Sequence, residues 1–306
     1  MNRINFEIKP EDLKPLQTKE EEEQVLYEHS IRKDIWNGFC ENKVGFVCVA
    51  FLLLIVIAAL CAPLTKYDAN AIDATSKLRG ISSEHWLGTD DYGRDYFTRV
   101  LYGSQVSLLI GVFSMIIAVC AGTIIGTISG YMGGKVDTVI MRLTDVFLSL
   151  PAYLVALVLK MLMDPTLFTL ILILSLFAWP SVARITRAET MTLKNRDFVL
   201  AAKNLGAGNM SIFFKHIIPN MMNSITVAAT LSIGGAILAE SFLSFLGLGV
   251  QLPRASWGSM LQAAQSYMTK QPILAIVPGV LILLTVLSFN VLGDVLQKVL
   301  EPKRNK

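Results

Sequence analysis

The sequence predicts an all-α polytopic membrane protein with six transmembrane helices, on three observations. Of the 306 residues 53% are hydrophobic and 17% charged, against about 25% charged in an average soluble domain. Six apolar windows, 44–63, 104–130, 146–163, 165–183, 221–250 and 271–293, contain only Lys160 and Glu240 among the Asp, Glu, Lys and Arg residues. Each window reaches or approaches the ~20 residues that carry a helix across a ~30 Å hydrocarbon core, where lipid offers backbone N–H and C=O groups no partner.

Taken in order, residues 1–43 form a polar tail with an acidic run, Glu20–Glu23, and lack the basic, apolar and small-residue segments of a cleaved signal peptide. The first window, 44–63, is therefore expected to stay as a span. Segment 64–101 is polar and too short for a separate domain. Its late portion mixes turn residues with an amphipathic stretch from Tyr96 to Leu101, which suits either a headgroup-level cap anchored by Trp86 and Tyr96 or a docking element for an external partner. Residues 102–294 form the core of five further helices, and 295–306 a short tail. The second window carries Gly122, Gly126 and Gly130 at four-residue spacing, so that another helix can approach its backbone closely, within this chain or from a partner. The fifth repeats the theme with Ala228, Ser232 and Ala236 ahead of Glu240. Pro151, Pro180 and Pro278 each fall inside a window and predict kinks.

Even span number places both termini on one side. Assigning the tails and the 131–145 and 184–220 loops to the cytoplasm puts 19 of the 27 Lys and Arg residues there. The positive-inside rule supports that orientation. Net charge is +3, too weak a field to call for nucleic acid.

Recognisable bond chemistry is absent from the sequence. Gly133-Gly134-Lys135 lacks the spacing of a phosphate loop. His29, His85 and His216 lie in separate polar segments, and Cys40, Cys48, Cys61 and Cys120 have no metal-like spacing, so no metal or cofactor is expected on this chain. Lys160, near a window's end, is expected to snorkel to the interface. Glu240 is deeper, and an ionisable group in a membrane invites a substrate, gating or proton-coupling role.

The 184–220 loop is too long and too basic for a simple turn. Phe198 to Gly208 reads as a helix ended by glycine, with Ala201, Ala202 and Leu205 as a small-residue face, Gly206 at a bend, and Pro219 opening the next span. Such a helix fits a peg for a groove in a cytoplasmic partner, or equally an amphipathic helix lying on anionic lipid.

Ala201-Ala202, three residues, Gly206, nine residues and then His216-Ile-Ile-Pro219 resembles the EAA loop of ABC-importer membrane subunits. Blocks at Leu87–Asp95, Gly130–Asp137 with Met141, Arg142 and Asp145, Glu240–Gly249, Ser256–Leu261 and Phe289–Asp294 extend the resemblance to the second permease subunit of the oligopeptide and dipeptide importer family. Leu200 stands where the pattern has Glu, so that residue's contact cannot be carried over.

The resemblance implies a type I ABC-importer permease fold and no enzymatic activity in this chain. It makes Ala201, Ala202, Leu205, Gly206, Ala207, Gly208, His216 and Pro219 a coupling helix seated on an ATPase, with ATP and Mg bound by the partner subunits. The implied partners are a second homologous permease, two ATP-binding subunits, an extracytoplasmic peptide-binding protein and the bilayer. Asp145 and Asn290, in matched blocks, join Glu240 as candidates for gating or the substrate path. Nickel or opines are alternative cargoes within the family. An ion-coupled transporter using Glu240, or a scaffold recruiting a partner through 184–220, are readings from other classes.

Overall fold

The computed structural model describes residues 42–164 and 166–300; the readings for 1–41, including Glu20–Glu23, His29 and Cys40, and for 301–306 lie outside the described residues. The helices are α1 (Lys43–Leu60), α2 (Tyr96–Met132), α3 (Gly134–Ser149), α4 (Ala152–Leu162), α5 (Leu167–Leu193), α6 (Asp197–Asn204), α7 (Met222–Phe245), α8 (Trp257–Ala264) and α9 (Ile273–Leu300). Among the described residues α1, α2, α5, α7 and α9 are each long and apolar enough to cross a membrane, and α3 with α4 supplies a sixth span only as a pair bent by 86°.

The third window, 146–163, is therefore not one helix. Pro151 has no N–H to give, and it pushes Leu150 into extended backbone at ψ 140°, so α3 stops and α4 starts afresh. The expected 131–145 loop is mostly α3. Pro180 and Pro278, by contrast, sit inside the continuous helices α5 and α9. The last span runs on to Leu300, past the expected boundary at 294.

The 37 residues of α2 span roughly 55 Å, well beyond a hydrocarbon core, so the amphipathic stretch from Tyr96 is the first turn of that helix rather than part of a separate cap. Its glycines meet α5 in parallel. A Cβ on Gly122 would lie 2.6 Å from Val182 Cβ and 2.8 Å from the Trp179 carbonyl, one on Gly126 would collide with Thr186 and the Ala183 carbonyl, and one on Gly130 would lie 2.7 Å from the Arg187 carbonyl. Thr186 Oγ1, buried in this seam, donates to the Gly122 carbonyl at 3.1 Å. The small-residue stripe thus serves packing within the chain. Helix α7 runs antiparallel to α2, with Ile237 against Gly111, and α9 antiparallel to α7, with Leu231 against Gly293.

These directions sort the connections into two ends. Asn42, the α2–α3 turn, 194–221 and Leu300 share one end. Segments 61–95, 163–164 with residue 166, and 246–272 share the other, the cap end. There, Asp90 is saturated: it accepts from the amides of Tyr92 and Arg94, pairs with Arg94 Nε at 2.7 Å and lies 3.4 Å from Arg99 Nε. Asp95 caps α2 through the Thr98 amide at 2.8 Å, with His85 Nδ1 2.8 Å away. Asp73 accepts from the Thr75 amide and from the hydroxyls of Thr75 and Ser76, which hold its carboxyl at about 2, below its usual 3.8. Tyr96 is not a headgroup anchor. It is buried, and its hydroxyl donates to the Leu274 carbonyl at 2.5 Å, tying α2 to α9, whereas Trp86 is exposed and packs on Phe97.

Candidate functional site

The expected loop begins ten residues later than charge alone suggests, because α5 continues to Leu193. The two arginines of that loop that α5 takes up are satisfied within the bundle. Arg187 pairs with Asp137 through Nε and Nη2 at 2.5 and 2.6 Å, and Arg184 reaches Asp145 at 2.5 Å. Asp145, expected near a gate or substrate path, is thus one rung of an α3–α5 ladder. The rungs were findable as opposite charges at helical spacing, Asp137 and Asp145 on one helix and Arg184 and Arg187 on another. Cutting the fourth window at residue 183 hid them.

Beyond α5 the chain makes α6, a turn at 205–208, a short helix Asn209–Ile212, one turn widened to π-type spacing at Phe213–Ile217, and Ile218–Asn220 leading into α7. The end of α6 is a Schellman cap. Gly206 N–H donates to the Lys203 carbonyl and Ala207 N–H to the Ala202 carbonyl, both at 3.0 Å, with Gly206 at φ +83°. Nothing lies within 4 Å of where a Gly206 Cβ would stand, so its backbone angle alone explains the glycine.

The small-residue face does not stay together. Ala202 is buried with Val199, one turn earlier on the inner side, while Ala201 and Leu205 point outward. Val199, Ile212, Ile217, Met221 and Ile225 form one core with Val119 of α2 and Val182 of α5, flanked by Ala207. Tyr131 packs edge-on to Phe213 at 4.8 Å, and Lys194 Nζ donates to the Gly130 carbonyl at 2.8 Å. The segment is consequently an extension of the α2–α5–α7 core. Its outer side presents Leu205 at 89% exposure, with Leu200, Met210 and Phe214 also exposed. Gly208 and Pro219 are exposed too, and His216 is half-buried, its carbonyl accepting from Asn220 Nδ2 at 2.7 Å.

The intramembrane charges are both enclosed. Lys160 does not reach an interface by itself: at 4% exposure it donates to the Thr166 carbonyl and Thr169 Oγ1 at 3.2 and 3.1 Å, closing the α4–α5 turn. Glu240 is fully buried, accepting from Ser244 Oγ at 2.6 Å and from Ser107 and Ser241 Oγ at 3.4 Å. Ser107 Oγ also accepts from the Trp257 amide at 3.1 Å, and Trp257 Nε1 donates to Ser104 Oγ at 3.1 Å. Glu240 therefore sits at the hub of a polar knot joining α2, α7 and α8. Those serines were missed by reading Glu240 alone; their common spacing of three or four on two helices was the available signal. Asn290 is exposed on α9 beside Gly234. A cavity of about 420 Å³ opens between α4, α5 and α7, lined by small residues such as Ala156, Ser181, Ser232 and Gly235 together with larger apolar ones such as Tyr153 and Phe177.

This arrangement has relatives. Residues 122–306 match the family model for the binding-protein-dependent transport system inner membrane component, and residues 30–79 match the N-terminal TM domain of oligopeptide transport permease C. The chain is 39% identical to the oligopeptide transport system permease protein OppC of Bacillus subtilis, over 90% of this chain and 91% of that one. It is 40% identical to the dipeptide transport system permease protein DppC of the same organism, over 90% and 86%, and 38% identical to the glutathione transport system permease protein GsiD of Pectobacterium atrosepticum, over 91% and 94%. In fold it resembles a chain of the inward-facing MetNI methionine ABC transporter, with TM-score 0.52 at 18% identity, covering 64% of this chain and 94% of that one. With helices on that plan and relatives matched nearly end to end, the chain belongs to the binding-protein-dependent transport system inner membrane component family and is an ABC-importer permease subunit.

Proposed function

We propose that this chain is one of two permease halves of an ATP-driven peptide importer, with both termini and segment 194–221 in the cytoplasm. The observation that carries this reading is a segment whose inner side is fused to the α2–α5–α7 core while its outer side leaves Leu200, Leu205 and Met210 bare. A peg built that way transmits force: when two ATPase subunits close on ATP and Mg, the clefts that hold the pegs move them, and the helices they are continuous with turn between inward-open and outward-open packings. The chain itself holds no cofactor in this scheme. A peptide-binding protein delivers cargo at the cap end. The α4–α5–α7 cavity, lined by small and larger apolar residues with no His, Cys, Asp or Glu among them, supports a broad organic cargo over a single metal ion. The relatives named for oligopeptides, dipeptides and glutathione support the same cargo class.

The test is uptake of labelled trialanine into proteoliposomes holding this chain, the second permease and the ATPase subunits, with the binding protein added outside. Uptake should need ATP and persist without an ion gradient. Uptake that survives ATP removal and collapses with the gradient would overturn the reading in favour of a secondary transporter.

A further inference from the structure

A cavity of about 370 Å³ lies at the cap end, walled by the 90–99 stretch, the α7–α8 connection and α8 with the turn that follows it. Three separate parts of the sequence meet there, and their charges divide into spent and unspent. Asp90 is fully engaged by two amides and two arginines, as described above. Asp91, its neighbour on the wall, makes no ion pair among the described residues and is half-buried. Burial and the adjacent Asp90 charge push its carboxyl above the usual range despite the opposing pull of Arg94 and Arg99, whose ion pairs go to Asp90, so an arriving cation would relieve a cost already present in the fold. Arg254 lines the same cavity, exposed and also without an ion pair among the described residues. The same wall carries Gln262, Ser266 and Tyr267, groups suited to amide N–H and C=O.

We infer that this cavity binds a small peptide with free termini during its passage, its ammonium group at Asp91 and its carboxylate at Arg254. The inference rests on the importer reading above and adds to it a cargo site on the permease at the cap end. A single unspent carboxylate is too little for a metal ion, and the opposed charges disfavour a phosphate or a fatty acid. The volume suits a ligand of a few residues.

The experiment measures equilibrium binding of radiolabelled trialanine to the permease–ATPase complex in nanodiscs, without the binding protein. Wild type should bind free trialanine about tenfold more tightly than N-acetyl-trialanine, the size expected for one charge-assisted contact. Asp91→Asn should erase that preference while keeping preference for the free carboxylate over the carboxamide, and Arg254→Gln should do the reverse. If Asp91→Asn fails to assemble, Arg254→Gln with the carboxamide peptide carries the test. Absence of saturable binding to wild type, or equal preference in wild type and both variants, would overturn the inference. So would variants that leave peptide preference intact and, in a separate pull-down with the binding protein added, weaken its capture, which would make the cavity a socket for that protein. ATP-driven trialanine uptake by the wild-type system, measured separately, tells a failure of this site from a failure of the importer reading.

Discussion

The α2–α5 seam and the 194–221 segment both depend on glycine, for opposite reasons. Gly122, Gly126 and Gly130 sit in helical backbone that any residue adopts, but a Cβ at each would strike α5. Gly206 has open space around it and a backbone angle of φ +83° that L side chains resist. One set lets two backbones touch; the other turns a chain that touches nothing on its outer side. The contrast teaches where energy is stored: the seam is where the chain holds itself together, and the segment is where it has left apolar surface uncovered.

The sharpest way to break this contrast is Gly126→Leu. The new side chain must displace Thr186 and the Ala183 carbonyl, in a seam where the neighbours are largely backbone, so a cost of ~3 kcal/mol or more is expected. Loss of folded protein on size-exclusion chromatography in detergent, with no peptide uptake to measure, is the expected outcome. A well-folded Gly126→Leu protein would show that α5 is not held against α2 as described.

Leu205→Asp probes the other region and should separate function from folding. At 89% exposure Leu205 contributes little to this chain's own stability, so the melting transition should stay within about 0.5 kcal/mol of wild type. Uptake should nevertheless fall by about tenfold or more, because the proposed docking of this bare apolar side on an ATPase would bury a charge without a partner, at a cost above the 1.4 kcal/mol that a tenfold change represents. Equal losses in stability and uptake would mean that Leu205 belongs to this chain's core.

How much of this was visible in the sequence differs between the regions, for physical reasons. The seam was legible as four-residue glycine spacing, since helical period and residue volume are both local properties; that it closes within the chain was not, because the matching surface on α5 is made of carbonyls and ordinary Val and Thr residues. The break at Pro151 was under-read as a kink, because sequence marks a missing N–H but not whether neighbouring helices hold the two halves in line, as they do at Pro180 and Pro278. At 194–221 the helix and its glycine-ended turn at Gly206 were legible, yet which side of that helix faces the bundle was not. The face was drawn through Ala201, Ala202 and Leu205 by size. Only tertiary packing of Val199, Ile212 and Ile217 reveals that Ala202 turns inward.

Gly206 itself offers a finer test than bulk. With no neighbour to strike, a large residue is tolerated or not according to its backbone preference, so Gly206→Val should cost roughly 1–2 kcal/mol while Gly206→Asn, which adopts the left-handed region more readily, should cost less. Measured by thermal unfolding and by ATP-driven uptake, the ordering Gly, Asn, Val should appear in both. Equal effects of Asn and Val would point to a steric role in the docked complex in place of the Schellman turn.

The smallest expected effect separates two adjacent alanines. A hydroxyl added at Ala202 enters the packed inner side beside Val199, where its only ready partner is the carbonyl one turn back, so Ala202→Ser should cost on the order of 1 kcal/mol. The same change at Ala201 faces outward and alters only helix propensity, within about 0.5 kcal/mol. Because both substitutions add one oxygen to the same helix one residue apart, propensity cancels in the difference between them, and what remains is the side of α6 that meets the bundle. Thermal unfolding of the two variants side by side reads that difference directly. A larger loss from Ala201→Ser than from Ala202→Ser would reverse the assignment of faces, and with it the choice of Leu205, which shares the Ala201 side, as the tip of the peg.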